Sequence, residues 1–172
     1  MTPKYKNLKE ELEAVKRNSY NIQYIENPSE AVQLQAVKQN GHSIQYIKNP
    51  SLAVQLVACK VEGHIIKHIK NPSEYIQLEA VKENGTSIKH IKNPSLEVQL
   101  EAVKQVGSSL YYIEHPTETV QLEACKQSGH IIQIIKYPSL EVQLEACKQD
   151  SKNINYIKNP KALLKKYPAL CI

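Results

Sequence analysis

The amino-acid sequence predicts an all-α chain folded as a single α-solenoid of seven 22-residue two-helix repeats with polar terminal caps. Three observations predict it. Prolines stand at Pro28, Pro50, Pro72, Pro94, Pro116, Pro138 and Pro160, one every 22 residues without an insertion. The residues around each proline vary little, as in Asn93-Pro94-Ser95-Leu96-Glu97-Val98-Gln99-Leu100-Glu101-Ala102-Val103-Lys104. Self-similarity at a fixed period of this length marks a repeat array. The two ends depart from the pattern as the ends of a stack require. One domain over 1–172 is expected, with repeats at 6–27, 28–49, 50–71, 72–93, 94–115, 116–137 and 138–159 and a cap at 160–172.

Each unit reads as two helices. Asn as N-cap followed by Pro at the first helical position is a favoured start, so helix A is expected to begin at the Asn-Pro pair. In the second unit it runs to about Gln39, where Gly41 offers the left-handed residue that ends a helix. A shorter helix is expected from Ser43 to Lys48, its Ile44 and Ile47 on one side. The next Asn-Pro stops it, because a residue before proline avoids the α region. Neither helix is long enough to hold alone in water, so stacking must bury both.

The end units carry the expected caps. Leu12, Ala14, Val15, Ile22, Tyr24 and Ile25 match later repeats, but Glu10 and Glu11 replace the usual Val-Gln and give the first helix a polar outer face. Pro168 takes the slot of the helix A alanine, so the last helix should stop near Tyr167. Terminal units of this kind keep a stack soluble, and a complete solenoid is the expectation.

Composition narrows the rest. Phe and Trp are absent and Met1 is the single Met, so the core must be Ile, Val, Leu and Ala. No apolar run is long enough to cross a membrane, and Met1-Thr2-Pro3-Lys4-Tyr5-Lys6 lacks the apolar stretch of a signal peptide. A cytoplasmic protein is expected. The net charge of +5 comes almost wholly from Lys, because Arg17 is the only Arg. Lysine is a solvated point charge, whereas Arg supplies the planar fork preferred for bases.

The pattern Asn-Pro-Ser-x-x-Val-Gln-Leu-x-Ala-Val-Lys-x-x-Gly, followed by Ile-x-Tyr-Ile-Lys, resembles the short HEAT-like helical repeats of uncharacterised proteins from large DNA viruses, amoebae and bacteriophages. The likeness covers about residue 8 to 160. It implies the repeat type and carries no catalytic residue. A looser similarity to variant leucine-rich and HEAT arrays implies a right-handed superhelix with one concave face.

Within helix A, steps of about 100° from Val32 put Ala36, Val37 and Leu34 on a wide apolar arc, leaving Gln35, Lys38 and Gln39 wet. Gln33 falls inside that arc, as do Gln55, Gln77, Gln99, Gln121 and Gln143. A buried amide needs partners. An inter-repeat ladder is expected, each Gln bonding a neighbouring Gln or a free backbone group of the Asn-Pro turn.

On the short helix Ile65, Ile66 and Ile69 face the core, while His64, Lys67 and His68 point together into solvent. The outward slot carries Tyr24, Tyr46, His68, His90, Tyr112, Ile134 and Tyr156. Its neighbour carries Gln23, Gln45, Lys67, Lys89, Tyr111, Gln133 and Asn155. These slots vary while core slots repeat, which is the pattern of a surface tuned to a partner, and Tyr is favoured at interfaces. The competing structural role is that each Tyr ring covers the seam between units. His64, Lys67, His68, Lys70, Lys89, His90 and Lys92 make the middle of this strip basic.

Other chemistry is sparse. Cys59, Cys125 and Cys147 occupy a helix A slot held elsewhere by Val, so they read as reduced core residues, with Cys171 at the frayed end. His42, His64 and His130 share a slot, but no Cys or His spacing beyond the repeat itself marks a metal site. There is no Gly-rich phosphate loop, and Asp150 is the only Asp. Equal spacing strings each residue type along a line, whereas catalysis needs convergence in a pocket. No enzyme, cofactor or metal is expected. The expected function is a non-enzymatic interaction module, an adaptor or inhibitor that binds a protein along the short-helix strip. A polyanion binder (RNA, DNA or a nucleotide) using the basic cluster of repeats 3 and 4 is the alternative.

Overall fold

The computed structural model describes residues 5–171, the side chain of Cys171 excepted. Eight α-helices alternate with 3₁₀ helices. The α-helices are α1 (Leu8–Arg17), α2 (Glu30–Gln39), α3 (Leu52–Val61), α4 (Glu74–Glu83), α5 (Leu96–Gln105), α6 (Glu118–Gln127), α7 (Leu140–Gln149) and α8 (Lys161–Lys166). A 3₁₀ helix follows each: Ser19–Tyr24, Gly41–Tyr46, Gly63–His68, Gly85–His90, Gly107–Tyr112, Gly129–Ile134, Ser151–Tyr156 and Pro168–Cys171. Each of the α-helices packs against the one before and the one after, and the first seven 3₁₀ helices stack likewise in a second layer. This is an α-solenoid, all-helical among the described residues.

Helix starts differ from the expectation. The N-cap is not Asn but the Ser or Thr after the proline: Ser51 Oγ accepts from the Val54 N–H at 3.3 Å, and Ser73, Ser95, Thr117 and Ser139 repeat the bond. Proline therefore stands outside the helix. Asn27, Asn71 and Asn93 adopt positive φ of 52–53°, a left-handed conformation that Asn tolerates because its short side chain bonds locally. The first helix lacks Pro-Ser and uses Asn7, whose side chain accepts from the Glu10 N–H at 3.0 Å. Glu10 in turn accepts from the Lys6 N–H at 2.8 Å, so it closes a cap as well as supplying polarity. At the other end α8 stops at Lys166 with Tyr167 as its cap, as expected from Pro168.

The glutamines take the second of their two expected partners, a free backbone group of the Asn-Pro turn. Gln33 donates to the Pro28 carbonyl at 2.8 Å, and Gln55, Gln77, Gln99, Gln121 and Gln143 donate to their own prolines at 2.9–3.0 Å. Each bond stays inside one repeat, so no Gln-to-Gln ladder forms. The Asn-Pro turn is the partner because proline's carbonyl, lying outside the helix, has no backbone donor in reach.

The short helices are 3₁₀ rather than α, and begin two residues earlier than expected. Asn40 initiates the second by accepting from the His42 N–H at 2.9 Å, a side-chain turn that competes with α geometry. Nor does Gly41 end helix A in a left-handed conformation, since no described Gly has positive φ. Asn40 itself, in extended conformation, is the C-cap. Glycine is there for close approach. A Cβ on Gly63 would stand 2.2 Å from the Ala80 carbonyl oxygen of the next repeat and 2.9 Å from Ser87 Oγ.

The core is a file of small apolar slots. Val32, Ala36, Val37 and Ile44 recur as Val54, Ala58, Cys59 and Ile66 and onward, nearly inaccessible except Ile154 of repeat 7, which is partly exposed. Two contiguous clusters make up this core and meet in repeat 6, where Ile131 closes the first and Ile132 belongs to the second. On the far face, Lys82, Lys126 and Lys148 pair with glutamates three residues earlier at 3.0–3.3 Å, and Lys60 reaches Glu79 of the next repeat at 3.4 Å.

Candidate interaction surface

The strip residues named from the sequence lie on the 3₁₀ layer, except Lys70 and Lys92, which fall in the turns after it, and 3₁₀ geometry sorts them differently. A step of about 120° per residue eclipses positions three apart. His64 therefore shares an edge with Lys67, and His68 lies above buried Ile65. Lys67, His68, Lys89 and His90 are exposed, while His64 is only half-buried and does not join them in open solvent. Tyr24, Tyr46, Tyr112 and Tyr156 are 43–49 % exposed and Tyr111 is 63 % exposed.

Rings close the seams in a diagonal series. Tyr20 meets Tyr46, His42 meets His68 and His64 meets His90, each edge to face with centroids 5.9–6.0 Å apart, and His130 meets Tyr156 at 5.9 Å. The second residue of one 3₁₀ helix thus packs on the sixth residue of the next. Burial, with Lys67 and His42 alongside, holds the His68 imidazole below its usual range. Burial likewise lowers His90, helped by Lys89 and His64. Both side chains are neutral at neutral pH, so the positive charge of this strip is lysine charge.

That charge is unpaired. Lys67 and Lys89 on the strip, and Lys48, Lys70, Lys92, Lys136 and Lys158 in the turns below it, are exposed. Among the described residues none of the seven forms an ion pair. Four lysines of the opposite face do, Lys60, Lys82, Lys126 and Lys148, whereas Lys16, Lys38 and Lys104 in the same slot do not. The thiols add no reactive group: burial, reinforced by Glu79, pushes Cys59 up to about 12, and burial with Glu145 pushes Cys125 equally far. Cys147 is raised by burial, and all three are free. Cys171 lies outside the described side chains. No group of three His, Cys, Asp or Glu suited to a metal occurs among the described residues, and no described helix is long and apolar enough to cross a membrane.

Clefts open along the turn edge where successive units meet. One of about 280 Å³ lies between Lys48, His68 and Lys70. A larger one, about 660 Å³, lies between repeats 5 and 6 and is walled by Tyr111, His115, Ile134 and Tyr137. A third, about 320 Å³, follows between Tyr137 and Tyr156. Tyr137, at 82 % the most exposed tyrosine described, stands between the last two.

Sequence reasoning missed His115, Tyr137 and Ile135 as surface features. A signal was present. The slot before proline is Asn in every other unit, yet His115 and Tyr137 replace it, and Glu114 replaces the preceding Lys. Comparison with protein-family models, curated proteins and solved structures finds no match to the chain.

Proposed function

We propose that the chain is a non-enzymatic interaction module, an adaptor or inhibitor, that holds an acidic protein along the edge built from its 3₁₀ helices and Lys-Asn-Pro turns. The observation that carries this reading is the asymmetry of its lysines: Lys60, Lys82, Lys126 and Lys148 of the far face pair with glutamates, and none of the seven on this edge does. A row of unpaired cations attracts a surface of opposite sign and raises the rate of encounter. Exposed tyrosines beside them supply rigid contact area.

A polyanion is the second reading, favoured by Lys67, Lys70, Lys89 and Lys92 on two successive repeats. The ring geometry weighs against it. Single strands bind by stacking bases on free aromatic faces, whereas His42, His64, His68 and His90 engage one another. With one Arg in the chain, bidentate phosphate contacts are also scarce.

The setting belongs to the same proposal. Three free buried thiols support a reducing, cytoplasmic compartment. The likeness of the repeat to arrays of large DNA viruses, amoebae and phages makes the host cytoplasm the specific location proposed.

The test is capture from a lysate by the protein and by a variant with Lys67, Lys70, Lys89 and Lys92 all changed to Glu. These side chains are exposed, so the variant should fold. A protein retained by the first and lost from the second supports the reading. Nucleic acid in the eluate, with retention falling steeply as salt rises, moves the assignment to the second reading. Equal retention by both proteins removes both readings.

A further inference from the structure

We propose that the two clefts flanking Tyr137 form a binding site for an extended proline-containing acidic segment in the polyproline II conformation. The inference rests on the edge reading above and names the kind of segment that edge receives at repeats 5 to 7. Three departures from the repeat converge there. The isoleucine ending each short helix is buried at Ile25, Ile47, Ile69, Ile91, Ile113 and Ile157, but Ile135 is partly uncovered. The slot above it is Ile134 where other units carry Tyr or His. No ring pair closes this seam, because Ser108 offers no ring to Ile134; the seam before it, with Thr86 in the same slot, also lacks one. Among the first seven 3₁₀ helices, Gly107–Tyr112 and Gly129–Ile134 are the least closely packed successive pair.

The result is two adjoining clefts with a shared wall. Tyr111 and Tyr137 bound the first and Tyr137 and Tyr156 the second, with Pro116 and Pro138 at their edges. Lys136 Nζ sits 5.2 Å over the Tyr137 ring and steadies it from one side. Such a pair of aromatic-walled slots accepts the ridges of a polyproline II helix. The spacing agrees. That helix repeats every three residues at about 3.1 Å per residue, so its ridges recur about every 9 Å. Packed neighbouring helices lie about 8–10 Å apart, so adjacent clefts of the array keep nearly the same step.

Polar groups match as well. A polyproline II chain leaves all its carbonyls unbonded, and the phenols of Tyr111, Tyr137 and Tyr156 can donate to them. Charge fixes the flanking residues: Lys136 lines both clefts and Lys158 the second, and neither is in an ion pair. Carboxylates placed between the prolines would meet them. Glu114, at the far rim of the first cleft, excludes an acidic residue at that end.

Fluorescence anisotropy with three labelled twelve-residue peptides tests the proposal. One repeats Pro-Glu-Ala four times, the second has the same composition with irregularly spaced prolines, and the third replaces Pro by Ala. The protein should bind the first at least about tenfold more tightly than either control. Tyr137→Ala should remove that preference, Tyr137→Phe should keep most of it, and Tyr46→Ala, in repeat 2, should keep all of it. Equal affinity for the three peptides, abolished by the four-lysine variant, overturns the cleft site and leaves the acidic-partner reading standing. Binding of none of them also overturns the cleft site, and lysate capture then decides the edge reading by itself. A preference unaltered by Tyr137→Ala places the site elsewhere and overturns the assignment.

Discussion

The neutral histidines of the seams have a consequence that acid reveals. His68 and His90 titrate below their ordinary value of 6.5 in the fold because burial and neighbouring lysines oppose their charge. His68 faces His42, which lies 3.1 Å from Glu62, and His90 faces His64, hydrogen-bonded to Thr86 at 3.3 Å. Between the folded value and about 6.5 the unfolded chain binds more protons than the folded one. The contribution is therefore full above that range and is lost as pH falls through it. Thermal melts at about pH 7.5 and about pH 5.5 should show a lower midpoint in acid. The double variant His68→Gln and His90→Gln should lose less over the same interval; an identical loss would assign the effect to other groups.

At the scale of elements, the contact that sets the stacking distance is a glycine against a helix carbonyl. Gly63→Ala brings a methyl group against the Ala80 oxygen, which belongs to the backbone and cannot swing away. Overpacking of this kind costs about 1–3 kcal/mol, to be read as a lower urea midpoint. Ser151 occupies the same slot in repeat 7 and is exposed, so Ser151→Ala should leave the midpoint where it is. Much of this architecture was legible in the sequence. The proline period, the Val, Ala and Ile core slots and the truncation before Pro168 each have one physical meaning. The glycine does not: left-handed backbone and close approach both require it, and a lone sequence does not separate them. Nor do isoleucines three apart distinguish a 3₁₀ helix from an α-helix, because both place them on one side. Ser and Asn are both good N-caps, and only the proline's position outside the helix selects Ser. The cleft escaped because periodic reading seeks what recurs, whereas His115, Ile134 and Tyr137 are exceptions.

For the molecule as a whole, most bonds that shape a unit lie within it, and most that join units recur at every seam. The Gln-to-Pro bond and the Ser cap are internal, whereas the glycine approach connects neighbours. Removing residues 72–93 would bring Gly63 against Ala102 and Ser109 in place of Ala80 and Ser87, the same residue types in the same slots. The shortened chain is expected to fold with helical circular dichroism and a cooperative melt at lower temperature, as nearest-neighbour stacks do when they lose a unit. A disordered spectrum would mean that repeats 3 and 5 are not interchangeable neighbours. The seam between repeats 5 and 6 breaks this uniformity on one side only. Its α-helices are packed like the others, while its 3₁₀ helices pack less closely than those before them, over the junction of the two core clusters. Regarded as a beam, the array has an unbroken α-helical flange and one loosened joint in the other. The slot beside Tyr137 lies at that joint, so a guest lodged in it would act as a splint across repeats 5 and 6.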